Sequence, residues 1–313
     1  MGRFRSEVLG WFESGRVVPG SENDVLRAAD ILPTRMEWRA FLASLCLWLG
    51  TVALAAAIIF FFAFNWDDLG RFARFGLVEA AIALPLVALL FLDLDKAPGK
   101  AALMALSLLT GALLALTGQV YQTGADTYEL FAWWAVLILP WVLIGRFTPL
   151  WLLWLAFLNL AAYLYFSLSW EGEALLWTLF ALNTVVLVGW EAGHRTGLSW
   201  LRDSWPPRLV ALASGFMATA LAIVAIFDSR EVGGALAWLL WIVAVYHWYK
   251  NVRFDLFMLA GAVLSLIVVV AAFLSEGLIE AGSGAFLIIG LAVIGMAGGG
   301  AVWLRSLARE QLA

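Results

Sequence analysis

The sequence predicts an all-α, polytopic membrane helix bundle of about ten transmembrane helices, with both termini in the cytoplasm. Three observations predict it. Of 313 residues, 64% are apolar and only 13% are charged, about half the charge of an ordinary soluble domain. That is too little polar surface for a water-facing skin, so hydrocarbon must replace water around most of the chain. Apolar runs long enough to cross a bilayer recur along the chain. Finally, Lys and Arg fall on alternate sides of those runs.

Residues 1–40 read as a small cytoplasmic head, and 41–313 as the membrane bundle. In the head, Ser6 opens a helix through Glu13, with Val8, Leu9 and Phe12 on one face and Gly15 as its stop. Pro19-Gly20 makes a turn. Ser21 opens a second short helix to about Leu32, with Asp24 at the capping-box position and Pro33 ending it. Two such helices are too small to fold alone and are expected to pack on the membrane domain or on a partner.

A spanning helix takes about 20 largely apolar residues. The predicted spans are 41–64, 73–92, 101–118, 130–145, 149–168, 174–192, 209–227, 232–248, 254–274 and 283–304. The fourth and eighth are short and have room to extend. The first 40 residues are mixed and polar, so the run from Phe41 is expected to stay as a helix rather than be cleaved as a leader. Pro85 and Pro140 fall inside spans as expected kinks. Gly290, Gly295 and Gly298-Gly299-Gly300 suggest close helix contacts in the last span.

The loop charges support the count. With the N-terminus inside, sixteen Lys and Arg fall on the inner side, and only Arg71, Arg74 and Arg230 on the outer side. A missed or false span would scramble every later loop. The outer loops are acidic, carrying Asp67, Asp68, Asp126, Glu129, Glu171, Glu173, Asp228, Glu231, Glu276 and Glu280.

Composition also excludes several classes. The net charge of −4 and the lack of a basic stripe with interleaved aromatics give no reason to expect nucleic acid. Cys46 is alone, so no intrachain disulfide is possible. His194 and His247 are not in metal-ligand spacing. No phosphate-cradling, nucleophile-elbow or dinucleotide motif is present, which argues against an ATP-driven pump or a common hydrolase. No catalytic residue, cofactor or metal is predicted.

Candidate binding residues fall in three places. The outer stretch after the third span packs Gln119, Tyr121, Gln122, Asp126 and Glu129 between Gly118 and Leu130. Such polar density suits a sugar, a headgroup or a cation. The alternative is architectural: Asp126-x-x-Glu129 resembles a capping box, and Gly124 a turn. In the second place, Trp66, Leu69, Phe72 and Phe75 read as an interfacial helix leading into the second span. Arg71 and Arg74 stand on its other side, and Glu79 lies further into the span, where an ionisable group is costly. The third place is a pair. Asn159 and Asn183 are each mid-span and equidistant from Glu171. A hairpin puts them at one depth, where they can hydrogen-bond as interhelical glue or meet a substrate.

Two stretches carry a resemblance. The head, with Glu7, Trp11, Gly15 and Val17-Val18-Pro19, resembles the N-terminal helix-turn-helix of a large group of bacterial membrane proteins. Gly118-Gln119-Val120-Tyr121-Gln122-Thr123-Gly124-Ala125-Asp126, followed by Leu130, Phe131 and Trp134, is similar to that group's most recognisable stretch. The group is the domain of unknown function numbered twenty-one fifty-seven. The resemblance implies a polytopic inner-membrane protein without an assigned activity, often encoded near a second membrane protein with a Gly-Asp-Tyr motif. It supplies no catalytic residue.

Three function classes follow from these readings. One is a non-enzymatic component of a membrane or envelope assembly, contacting lipids and, through residues 1–40, another membrane protein. Another is a secondary transporter or flippase, which requires a polar cavity near Glu79, Asn159 or Asn183. An intramembrane enzyme would need Asp126, Glu129 or Glu79 to converge in a cleft.

Overall fold

The computed structural model describes residues 10–12, 14, 16–18, 20–29, 32–64, 70–122, 124–169, 171–228, 232–278 and 283–310. Among them the chain is helical throughout, in two compact units, Met1–Leu116 and Thr117–Ala313. Most of the expected helix at Ser6–Glu13, the stretch Asn65–Leu69 and the loop charges Arg230, Glu231 and Glu280 lie outside the described residues.

In the first unit the helices are α1 (Glu22–Ala28), α2 (Arg35–Phe64), α3 (Arg71–Ala88) and α4 (Ala97–Tyr121), whose last turns pass into the second unit. The second holds α5 (Thr127–Gly145), α6 (Thr148–Ser169), α7 (Gly172–Arg195), α8 (Trp205–Phe227), α9 (Val232–Asn251), α10 (Leu256–Gly277) and α11 (Ser283–Glu310). Each of the ten predicted spans falls on one of the helices α2 to α11. Among the described residues nine helices are long and apolar enough to cross a membrane. The other is α3, whose eighteen residues include Arg71, Arg74 and Glu79. The two short spans do extend, to Thr127 and to Asn251.

Capping departs from expectation. Ser21 precedes α1 but does not cap it with its side chain; its hydroxyl donates to the Val18 carbonyl at 2.7 Å. The capping box forms instead at Thr34-x-x-Glu37, at the start of α2. The Thr34 N–H donates to Glu37 Oε2 at 2.6 Å, and the Glu37 N–H donates to Thr34 Oγ1 at 3.2 Å. This box starts α2 six residues before the apolar run.

The core of the second unit is built around α8, which packs against α7, α9 and α10. Small residues on α8 let its neighbours approach: Ala211, Ser214, Gly215, Ala218 and Ala222 are all buried. A Cβ on Gly215 would lie 2.6 Å from Trp241 Cη2, and one on Gly234 of α9 would lie 2.4 Å from the Leu221 carbonyl oxygen. Close backbone approach is how membrane helices gain packing where lipid is as apolar as Leu. In α11 the expectation holds at Gly300 alone, which meets Val263. Gly290, Gly295, Gly298 and Gly299 have nothing within 4 Å.

Candidate functional site

Asn159 and Asn183 come together. Asn183 Nδ2 donates to Asn159 Oδ1 at 2.6 Å, and Asn159 Nδ2 stands 3.4 Å from Asn183 Oδ1. Each Nδ2 also donates to the carbonyl four residues back in its own helix, Leu155 and Leu179, at 2.8 Å. Asn183 is 1% exposed. The two amides answer each other across the α6–α7 hairpin, where little capacity is left for a solute.

The stretch between α4 and α5 is open. Gln119, Tyr121, Gln122 and Asp126 are exposed, and Glu129 is half-buried. Gln122 has φ +45°, in the left-handed region, and so does Gly124 at +64°. The chain turns there between α4 and α5, and at position 122 a non-glycine residue carries the strain. Asp126 sits at the N-cap of α5 with extended backbone, but its carboxylate makes no capping bond. The expected capping box of Asp126 and Glu129 does not form: the Glu129 N–H donates to the Asp126 carbonyl at 3.0 Å rather than to its carboxylate. Tyr128 OH stands 3.3 Å from Glu129 Oε1, and the Tyr128 ring meets Tyr165 edge to face at 5.1 Å. In the first unit, Arg71 and Glu79 are exposed on α3, and the Arg71 guanidinium lies 5.2 Å from the Phe72 ring centre.

Sequence reasoning missed a connected polar cluster. It lies at the end of the second unit where α7 and α9 finish and α8 and α10 begin. Glu191 on α7 is buried, and its carboxylate accepts from Tyr249 OH at 2.8 Å, Arg253 Nη1 at 3.0 Å and Trp248 Nε1 at 3.2 Å. Two residues further along the α9–α10 loop, Asp255 accepts from Arg208 Nε at 2.9 Å and Nη2 at 3.2 Å. The same carboxylate caps α10 through the Phe257 N–H at 2.9 Å. One short loop thus ties the end of α7 to the start of α8. Each buried carboxylate thus has several donors, as a buried polar group requires. Arg195 completes the cluster, 4.2 Å over the Trp248 ring.

Two grooves flank this end. One lies between α7 and α9, about 280 Å³, lined by Leu187, Val188, Glu191, Arg195, Val245 and Trp248. The other lies between α8 and α10, about 350 Å³, with Trp241 as its floor and Arg208 at one end. Neither includes Asn159 or Asn183. In the first unit, the head carries a groove of about 440 Å³ lined by Trp11, Arg16, Val17, Val18, Ser21 and Val25.

No curated protein and no solved structure matches the chain. Residues 10–151 are similar to the family model described as Predicted membrane protein (DUF2157), the family that the head and the Gly118–Trp134 stretch resemble.

Proposed function

We propose that this protein is a non-enzymatic component of a membrane assembly in the bacterial inner membrane, with both termini cytoplasmic. Its bundle is the anchor, and residues 1–40 dock another membrane protein. The observation that carries the reading is the head groove. Trp11 is 41% and Val18 70% exposed, which is costly for apolar side chains in water unless a partner covers them. Arg16 on the rim favours an acidic residue beside the partner's apolar anchor. The Asn159–Asn183 pair supports the same reading from the other side. A transporter needs free polar groups at mid-depth, and these two amides are spent on each other.

The test is photocrosslinking in cells, with a photoreactive amino acid at Val18 of the full chain. A defined adduct with one membrane protein, lost on Trp11→Ser at unchanged expression, is the expected result. Adducts with lipid alone, or a partner that persists in Trp11→Ser, would sink the proposal.

A further inference from the structure

We infer that the groove between α8 and α10 is a binding site for an acyl chain of an anionic phospholipid, with Arg208 holding the headgroup phosphate. The shape comes from missing side chains. Ala211 on α8 and Gly261 on α10 leave the groove open, and Trp241, packed against Gly215, closes its floor. A Cβ at Gly261 would meet nothing within 4 Å, so that glycine borders free space rather than a neighbouring helix. Along α8 the lining runs from Arg208 to Ile223, about 22 Å at the helical rise. That is more than one leaflet of a hydrocarbon core about 30 Å thick.

The polar atoms near the wall decide the ligand class, because they already have partners. Thr219 Oγ1 donates to the Gly215 carbonyl at 2.7 Å and stands 2.6 Å from Ser265 Oγ. Ser265 in turn accepts from Trp238 Nε1 at 2.9 Å, and Trp241 Nε1 donates to Ser214 Oγ at 3.1 Å. A sugar or an ion would find few free partners there, whereas hydrocarbon needs none.

The end of the groove differs. Arg208 uses Nε and Nη2 on Asp255, which fixes the guanidinium, yet its side chain remains 38% exposed. Nη1 is left to meet a phosphate oxygen, since a guanidinium carries five N–H donors. Arg195, Arg202, Lys250 and Arg253 belong to the same end of the unit. Basic pockets between membrane helices on the cytoplasmic side suit anionic headgroups.

The experiment is native mass spectrometry of the full chain in detergent, with phosphatidylglycerol or phosphatidylcholine of matched chains added. The wild type is expected to retain phosphatidylglycerol about fivefold better, the preference that one basic residue supplies at a membrane surface. Gly261→Leu fills the groove and is expected to lose retention of both lipids, with its melting temperature in detergent unchanged. The double variant Arg208→Gln/Asp255→Asn removes both charges together, so neither is left buried alone, and Asn keeps the helix cap. It is expected to lose the preference but keep phosphatidylcholine. Equal retention of the two lipids by the wild type, or undiminished binding in Gly261→Leu, overturns the inference. So does displacement of the phospholipid by an equimolar free fatty acid, which would make the occupant a single-chain carboxylate.

Discussion

Asn183 gives its amide to Asn159 at 2.6 Å from the neighbouring helix, while its own helix supplies a second acceptor at Leu179. The bond joins residues 24 apart in sequence and ties α6 to α7. Interhelical hydrogen bonds of this type contribute about 1 kcal/mol. Asn159→Leu and Asn183→Leu should each lower stability by about that amount in a reversible detergent-unfolding assay. The double variant should lose less than the sum of the two, because the second change removes a partner already orphaned. Strict additivity would show that the amides are independent.

That pair was legible in the sequence because it is local: two Asn at equal distance from a turn must meet if the turn makes a hairpin. Nine of the helices were legible for a similar reason, since a span declares itself by length and composition within one window. The ion pairs were not. Arg208–Asp255 links residues 47 apart and Glu191–Arg253 residues 62 apart, and nothing local says which of several Arg near one membrane face will be drawn inward. Arg253 and Arg208 counted equally with the exposed Arg202 as evidence of sidedness. The start of α2 was misplaced for a subtler reason. Apolar content alone puts that start at Phe41, whereas the box that opens the helix, Thr34-x-x-Glu37, lies in the polar stretch ahead of the apolar run; Ser21 also precedes a capping-box acid, but its side chain accepts no N–H from α1.

The loop that carries Arg253 and Asp255 should behave as a staple. Arg253→Met leaves the Glu191 carboxylate buried with only Tyr249 and Trp248 as donors. Removing one partner of a buried pair costs about 3–5 kcal/mol. The Arg253 side chain is 18% exposed, so the low end of that range is expected. Glu191→Gln/Arg253→Met should recover most of the loss, because no unpaired charge then remains. The check is thermal unfolding of the purified variants, and a double variant as unstable as Arg253→Met alone would refute the pairing as the cause.

Glycines should separate into two groups. Gly234→Ala places a methyl 2.4 Å from a backbone carbonyl, and backbone cannot rotate away, so α8 and α9 must part. Overpacking of this kind costs about 1–3 kcal/mol. Gly215→Ala meets the Trp241 ring at 2.6 Å and should fall in the same range, with a change in tryptophan fluorescence. Gly295→Ala meets nothing, and should be neutral or gain up to about 1 kcal/mol from helix propensity. If all three behave alike, the packing described around α8 is wrong.

Sidedness can be read on a single helix. Asp126 and Arg146 are exposed and stand at opposite ends of α5, nineteen residues of helix apart, or about 28 Å. The helix is therefore as long as the hydrocarbon core it must cross. With Cys46→Ser as background, Asp126→Cys and Arg146→Cys give one thiol each. The charge alternation puts Arg146 inside, where basic residues are retained, and Asp126 outside. A membrane-impermeant maleimide should then label Asp126→Cys in intact spheroplasts and Arg146→Cys in inverted vesicles. The reverse pattern would turn the molecule over, placing the Arg208 end of its groove in the outer leaflet. Labelling of both from one side would mean that α5 does not cross the membrane, and the even count of spans would fall with it.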